Sequence, residues 1–278
     1  MVTDRTNPRS SVRTAVVWDV VRSALETIKR EAAQTQSGSA QSAQTQGPSL
    51  SGTEPLDIVD VGGGTGGFAV ALARLGHRVT VIDPSPDALA ALERRAAEAG
   101  VSDAVRAAQG DLATVFDVLE PECADAVLCH GVLEFVDDPA EGCRTARGLL
   151  RPGGIASILA ANRTAVVLAR ALGGHVAEAL AALHDPSGRF GVHDPVPRRF
   201  GEQALRDLVE QAGLTVRAVH GVRIFADLVP AAVADAPAGS GPAANVTDLL
   251  ALEAAASALP EFRAMATQLH VLAGLDEA

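Results

Sequence analysis

Positions 60 to 67 read Asp60-Val61-Gly62-Gly63-Gly64-Thr65-Gly66-Gly67, and Asp83 follows nineteen residues after Gly64. Glycines at this density suit a backbone that turns sharply and lets a ligand reach main-chain atoms a Cβ would shield. By itself the run is also compatible with a plain tight turn, so its surroundings decide. It stands directly after the apolar run 56–61 and directly before a helical pattern. Asp83 ends the next apolar run, where a carboxylate accepts hydrogen bonds from both ribose hydroxyls of an adenosine cofactor. Nicotinamide dinucleotides and sulfonium methyl donors share that arrangement. Three features favour the methyl donor: Asp60 ahead of the glycines, the D-x-G-x-G-x-G spacing, and the pair Gly110-Asp111 after the third apolar run, near the expected adenine edge. A dinucleotide fingerprint would also lie nearer the start of the chain, whereas here a helix precedes the loop. The cofactor expected is therefore S-adenosyl-L-methionine.

Such residues need a scaffold that brings several strand ends together. Short apolar runs alternate with helical patterns, the mark of a mostly parallel sheet covered on both faces. Strands are predicted at about 56–61, 78–83, 105–109, 125–130 and 154–160, and helices near 67–75, 86–99, 139–150 and 201–212. Alternating residues place two more strands near 214–221 and 267–273. The Ala-rich stretch 164–183 and the segment 247–258 read as further helices laid over the sheet. The expected fold is α/β: a doubly wound, mostly parallel, seven-stranded Rossmann-like sheet with helices on both faces and an N-terminal helix. Residues 1–32 read as an N-terminal helical cap, 33–53 as a flexible linker without charge or bulk, and 54–278 as the cofactor-binding domain. That domain carries a helical cover at about 164–196, and the Ala, Pro and Gly-rich stretch 231–245 reads as a loop or insertion.

Composition narrows the function. With 278 residues and 47% hydrophobic content the chain can build a substantial core. Its formal charge of −11 argues against strong sequence-independent binding to nucleic acid, which depends on neutralising phosphates. Lys29 is the sole lysine among 23 basic residues, so any anion site would be built from arginine. No apolar run of membrane-spanning length is present and no apolar segment follows the N-terminus, so a cytoplasmic protein without membrane contact is expected. Cys123, Cys129 and Cys143 lack C-x-x-C spacing and suggest neither a disulfide scaffold nor a metal site.

Beyond the glycine loop, the segments Arg13 to Trp18, His130 to Val136 and Gly221 to Phe225 stand out, and with them the sequence resembles the tRNA wobble 5-carboxymethoxyuridine methyltransferase family, which converts the carboxylate of a modified uridine to its methyl ester. The matching pieces are Arg13 to Trp18, Asp60 to Gly66, Gly76-His77, Gly100 to Asp103, His130 to Val136, Leu150 to Gly154 with its Arg-Pro-Gly-Gly turn, and Gly221 to Phe225. They span about 210 residues, interrupted at the linker and the C-terminal insertion. The glycine loop is shared by many methyltransferases, but Arg-x4-Trp and Gly-Val-Arg-x-Phe are more restricted. The resemblance implies that Arg13, Gly62, Gly63, Asp83, Gln109, Gly110 and His130 contact the cofactor. Arg13, in the leading helix, would clamp the methionine carboxylate bidentately, or else be an exposed helix charge. His130 would face the cofactor from the end of the fourth strand, or else be a core histidine satisfied by a carbonyl. Arg223 would pair with an acceptor carboxylate, or else be a strand-edge charge.

With the cofactor residues Asp60, Gly64 and Asp111 added, three readings stay open. The first is a methyltransferase acting on the wobble-uridine carboxylate of tRNA. The second methylates a small molecule, with helices around 164–196 as a lid. The third is a binding module without activity. Arg198 and Arg199 follow the turn 194–197, but Asp185-Pro186-Ser187-Gly188 stands where a lysine-rich run is expected for phosphate contact. Arginines 189, 198, 199 and 223 converging at one cleft mouth would favour RNA; a dispersed set would favour a small molecule. Glu134 and His130 fall near the expected methyl position, with neither assigned as a base. An ionised carboxylate acceptor would need none.

Overall fold

The computed structural model describes residues 11–39, 54–229 and 246–276. Helix α1 (Ala15–Ser39) buries Val17, Trp18, Val21 and Leu25, a stripe at helical spacing, and leaves its polar face outward. It runs seven residues into the stretch expected to be a flexible linker. Ala and Gln there are good helix formers, so the lack of large apolar side chains removed the reason to pack but not the reason to stay helical. Positions 40–53 lie outside the described residues, as does the stretch 231–245 expected to be a loop.

Strands β1 (Asp57–Val61), β2 (Arg78–Asp83), β3 (Val105–Gln109), β4 (Ala124–His130) and β5 (Leu150–Ala161) alternate with helices α2 (Gly67–Arg74), α3 (Pro86–Glu98) and α4 (Pro139–Leu149). Next come α5 (Arg163–Leu172), α6 (Val176–His184), α7 (Glu202–Gln211), β6 (Thr215–Val222), α8 (Val246–Ala256), the short α9 (Pro260–Arg263) and β7 (Gln268–Gly274). The strands form one seven-stranded sheet in the order β3-β2-β1-β4-β5-β7-β6, in which β7 runs antiparallel to both neighbours. Ile58, Val59, Val127 and Leu128 are buried because both sheet faces are covered, which is why these strands read as continuous apolar runs. One face packs against α1, α2 and α3, the other against α4 and α7.

Two details differ from expectation. The stretch 164–183 is two helices, broken at Gly173-Gly174, where Gly174 has a φ of 79° that ends the helical path. The Arg-Pro-Gly-Gly segment lies inside β5, beside a register irregularity between Ala124 and Ala126. Arg151 there reaches Asp125 (2.8 Å) and Asp57 (3.0 Å), tying β5 to β4 and β1 at the ends opposite the glycine loop. That element is structural. Among the described residues no helix is long and apolar enough to cross a membrane.

Candidate active site

Strand order reverses between β1 and β4, so their C-terminal ends open a crevice, the usual place for a ligand in an open α/β sheet. The glycine loop spans it. Gly62 has a φ of 71°, its amide donates to Ile82 O (2.7 Å), and a Cβ on it would collide with Val132. A Cβ on Gly63 would sit 2.5 Å from Asp60 Oδ2. Gly62 thus needs glycine for both conformation and space, and Gly63 for space. Asp83, at the end of β2, accepts the Gly64 amide on Oδ2 and the Ser85 amide on Oδ1, each at 2.9 Å, which fixes the carboxylate at the rim of the loop. Val61, Gly62, Asp83, Asp111, Leu112 and Gly131 help to line a cavity of about 600 Å³. This size suits a nucleoside-bearing ligand.

The other expected cofactor residues sort into several places. Asp60 is buried beneath Gly63, and burial, then the charge of Asp83, pushes its pKa up to about 7. Gly110 N donates to Asp83 O (3.3 Å) and Gln109 Nε2 to Pro84 O (3.3 Å), so both brace the rim formed by β2 and β3. Asp111 Oδ1 accepts from Ala113 N, Thr114 N and Thr114 Oγ1, folding its side chain onto its own turn while the residue still borders the cavity. The His130 ring stands edge-on to Phe68 with centroids 5.0 Å apart, and Nε2 lies 2.8 Å from Ser157 Oγ. Burial lowers its pKa to about 4, so the ring is neutral near pH 7. Its partner is a hydroxyl rather than the carbonyl considered from sequence.

Arg13 precedes α1 rather than lying within it, in the turn 11–14, and its guanidinium is 3.9 Å from Asp227. Asp227 holds Arg223 more closely, at 2.6 Å, and also accepts from Thr267 Oγ1 at 2.9 Å. Arg223 adopts a φ of 60°, costly for a residue with a Cβ. Together with Glu134, Arg199, Leu168 and Met265 it helps to line a second cavity of about 570 Å³. Gly131 and Phe135 belong to the walls of both cavities, so the two meet at the end of β4.

The arginines do not present a shared open face. Arg199 is bidentate to Asp194 (2.7 and 2.9 Å), a pair buried on both sides. Burial raises the Asp194 pKa, but Arg199 and the amides of Val196 and Phe190 outweigh it and hold the carboxyl below its usual range. Arg198 donates to the carbonyls of Leu133, Val136 and Asp137, and Arg189 to that of Gly191. Arg223 belongs to Asp227. Each is engaged within the chain.

Sequence reasoning missed Glu253 on α8. Fully buried, its carboxylate accepts the amides of Ile224 (3.0 Å), Phe225 (2.8 Å) and Ala226 (2.7 Å), which follow Arg223 in a concave run of donors. The signal was an acid on the buried side of an Ala and Leu-rich helix, five residues beyond Asp248 in its first turn. Also missed was the row His130–Ser157–His270, which continues from Ser157 Oγ to His270 Nε2 at 2.8 Å across three neighbouring strands. Only strand register aligns those positions on one sheet face.

Residues 59–158 match a family model described as a methyltransferase domain. The chain is 31% identical over 176 residues to the tRNA 5-carboxymethoxyuridine methyltransferase of Escherichia coli (strain K12), covering 63% of this chain and 66% of that protein, just under two thirds of its length. It is 42% identical over 113 residues to the ubiquinone biosynthesis O-methyltransferase of Methylocella silvestris, 40% of this chain and 42% of that one. In fold it is similar to an S-adenosylmethionine-dependent methyltransferase of Methanosarcina mazei, with a TM-score of 0.54, 15% identity, and 81% and 94% of the chains covered. It is also similar to the [4+2]-cyclase SpnF, with a TM-score of 0.52, 18% identity, and 81% and 76% covered. The chain thus carries a class I methyltransferase domain of the S-adenosylmethionine-dependent type. The cyclase is a reminder that this architecture alone does not name a reaction.

Proposed function

We propose that the whole protein is an S-adenosylmethionine-dependent methyltransferase whose acceptor is a small molecule with an apolar body. The observation carrying this reading is the junction of the two cavities at Gly131 and Phe135. One has the glycine cradle and ribose-facing carboxylate that fit the donor. The other combines an aliphatic wall from α5, including Val166 and Leu168, with the polar groups of Glu134, Arg199, Arg223 and Asp227, which fits an acceptor with an apolar body and a polar end. S-adenosylmethionine, when bound, supplies a methyl group made electrophilic by its sulfonium. The chain's own part is to align and to exclude water. The Gly62-Gly63-Gly64 backbone admits the methionine end, Asp83 takes the ribose hydroxyls, and the 110–113 turn borders the adenine. Asp60 supplies negative charge beneath the loop, and neutral His130 adds no positive charge to the sulfonium side. Arg13 stands beside Asp227, which lines the second cavity rather than the cofactor cavity.

A second reading, esterification of a tRNA wobble-uridine carboxylate, draws on the likeness to the Escherichia coli tRNA enzyme. Against it stand the acidic balance and the engagement of Arg189, Arg198, Arg199 and Arg223 with groups of the chain itself. Calorimetry with S-adenosylhomocysteine tests the shared part. Binding is expected for the wild type and about 100-fold weaker for Asp83→Ala, which removes a charged hydrogen-bonding group. Mass spectrometry of tRNA nucleosides from cells with and without the gene separates the acceptors. A methyl-ester uridine lost with the gene would establish RNA, and absence of cofactor binding would overturn both readings.

A further inference from the structure

A third cavity, of about 830 Å³, shares no lining residue with the first two and lies between α1, α8 and the strands β6 and β7. Small and aliphatic side chains such as Val16, Val20, Leu250, Ala251, Ala254 and Leu272 supply most of its wall. Arg217 is the only arginine or lysine in it. Two features of the sheet place that side chain. A register irregularity between Val216 and Ala218 bulges β6 at Arg217, and a bulge re-aims a side chain that regular alternation would send to the opposite face. The guanidinium then lies across Gly274 of β7, where a Cβ would collide with it. In a chain with a formal charge of −11, no acid meets this arginine: among the described residues it makes no hydrogen bond or ion pair. Burial, then the Arg263 charge, lowers the His220 pKa, so His220 enters the wall as a neutral ring near pH 7. Asp19, on α1, is the wall's one acid, which confines an anionic group to the β6 side.

We propose that this cavity binds a small organic acid, its carboxylate on Arg217 and its apolar body between α1 and α8, and that α8 carries the effect of binding to the second cavity. The wall and its charge select that class. A carboxylate matches the planar guanidinium fork, and an aliphatic remainder covers side chains that otherwise face water. The helix α8 has two working faces. Leu250, Ala251 and Ala254 line the third cavity, whereas Glu253 is buried on the other side of the helix, where it accepts the amides of Ile224, Phe225 and Ala226. Just past the helix, Ser257 O accepts the Gly221 amide at 2.7 Å. These bonds bracket Arg223, which holds its costly φ of 60° and, with Asp227, lines the second cavity. A ligand that fixes α8 against α1 therefore steadies the segment presenting Arg223 and Asp227. An organic acid there acts on the second cavity without occupying it.

The test uses the full chain with octanoate and its neutral counterpart octanamide, in calorimetry and hydrogen exchange. The wild type should bind octanoate with a Kd below about 1 mM, and octanamide more weakly by about tenfold or more. Arg217→Gln removes the charge and should weaken octanoate by about tenfold or more while leaving octanamide within about twofold. Ala251→Trp fills the cavity from α8 and should abolish binding of both probes. Each substitution is at an exposed position, so the urea midpoint should not move. Saturating octanoate should slow exchange of the amides of residues 224–226 by about threefold or more in the wild type and leave it unchanged in Arg217→Gln. Absence of saturable binding, equal binding of octanamide, or wild-type octanoate affinity in either variant would overturn the site. Saturation without a change at 224–226 would overturn the role of α8. Neither readout involves methyl transfer, so S-adenosylhomocysteine binding, measured alongside, judges the methyltransferase reading separately.

Discussion

Asp60→Asn should flatten a pH dependence of cofactor affinity that the wild type shows between pH 6 and 8. Asp60 is buried under Gly63, with desolvation and then the Asp83 charge lifting its pKa from 3.8 to about 7. Ionising it in the free protein therefore costs about 4 kcal/mol more than in water. S-adenosylmethionine brings an ammonium and a sulfonium, and a cation near the loop favours the ionised form, so binding should expel the proton. At pH 6 about ten molecules in eleven hold that proton, and at pH 8 about one in eleven. If the bound state stays ionised, affinity should rise about tenfold across that interval. His77 and His130, whose pKa values burial depresses to about 4, do not titrate in it. Calorimetry at pH 6, 7 and 8, in buffers of different ionisation enthalpy, reads both the affinity and the proton released. The ligand's own amine contributes equally to wild type and variant, so the difference between them isolates Asp60. Equal slopes for the two proteins would refute the reasoning. Stability offers a second check. A raised carboxyl pKa means the folded state holds its proton where the unfolded chain has lost it, so wild-type stability should fall as pH rises from about 4 to 7. The Asn variant should lack that component.

Two further outcomes follow from buried carboxylates. Glu253→Ala strands the three amides of residues 224–226 and should cost about 3 kcal/mol in urea unfolding, with hydrogen exchange accelerated in the 223–228 loop and S-adenosylhomocysteine affinity little changed. Arg199→Ala leaves Asp194 buried without its partner and should cost about 3–5 kcal/mol by the same measurement. Because the Asp194 pKa is held down in the folded state, the stabilisation it provides is present at neutral pH and disappears as pH falls through the folded value, so the two proteins should converge in acid.

While the order of the strands across the sheet came only from the structure, the sequence by itself determined the seven strands, their alternation with helices and the place of the glycine loop. Their signals are local: an apolar run, a glycine cluster that tolerates positive φ, and Asp83 at a fixed distance along the chain. Boundaries were less legible at α1, where helix propensity carried the chain past the point at which packing signals stop, and at 164–183, where two glycines split one pattern into two helices. The second cavity was decided only by tertiary structure. Arg199 and Arg223 looked like available cations because a sequence shows charges but not the partners that fill them. Asp194 and Asp227 lie five and four residues away, and only the fold shows that both are used. Glu253 reaches residues 224–226 across 27 to 29 positions, and Glu134 bonds to Ala161 across 27. A buried carboxylate is defined by what surrounds it, and no local spacing records that.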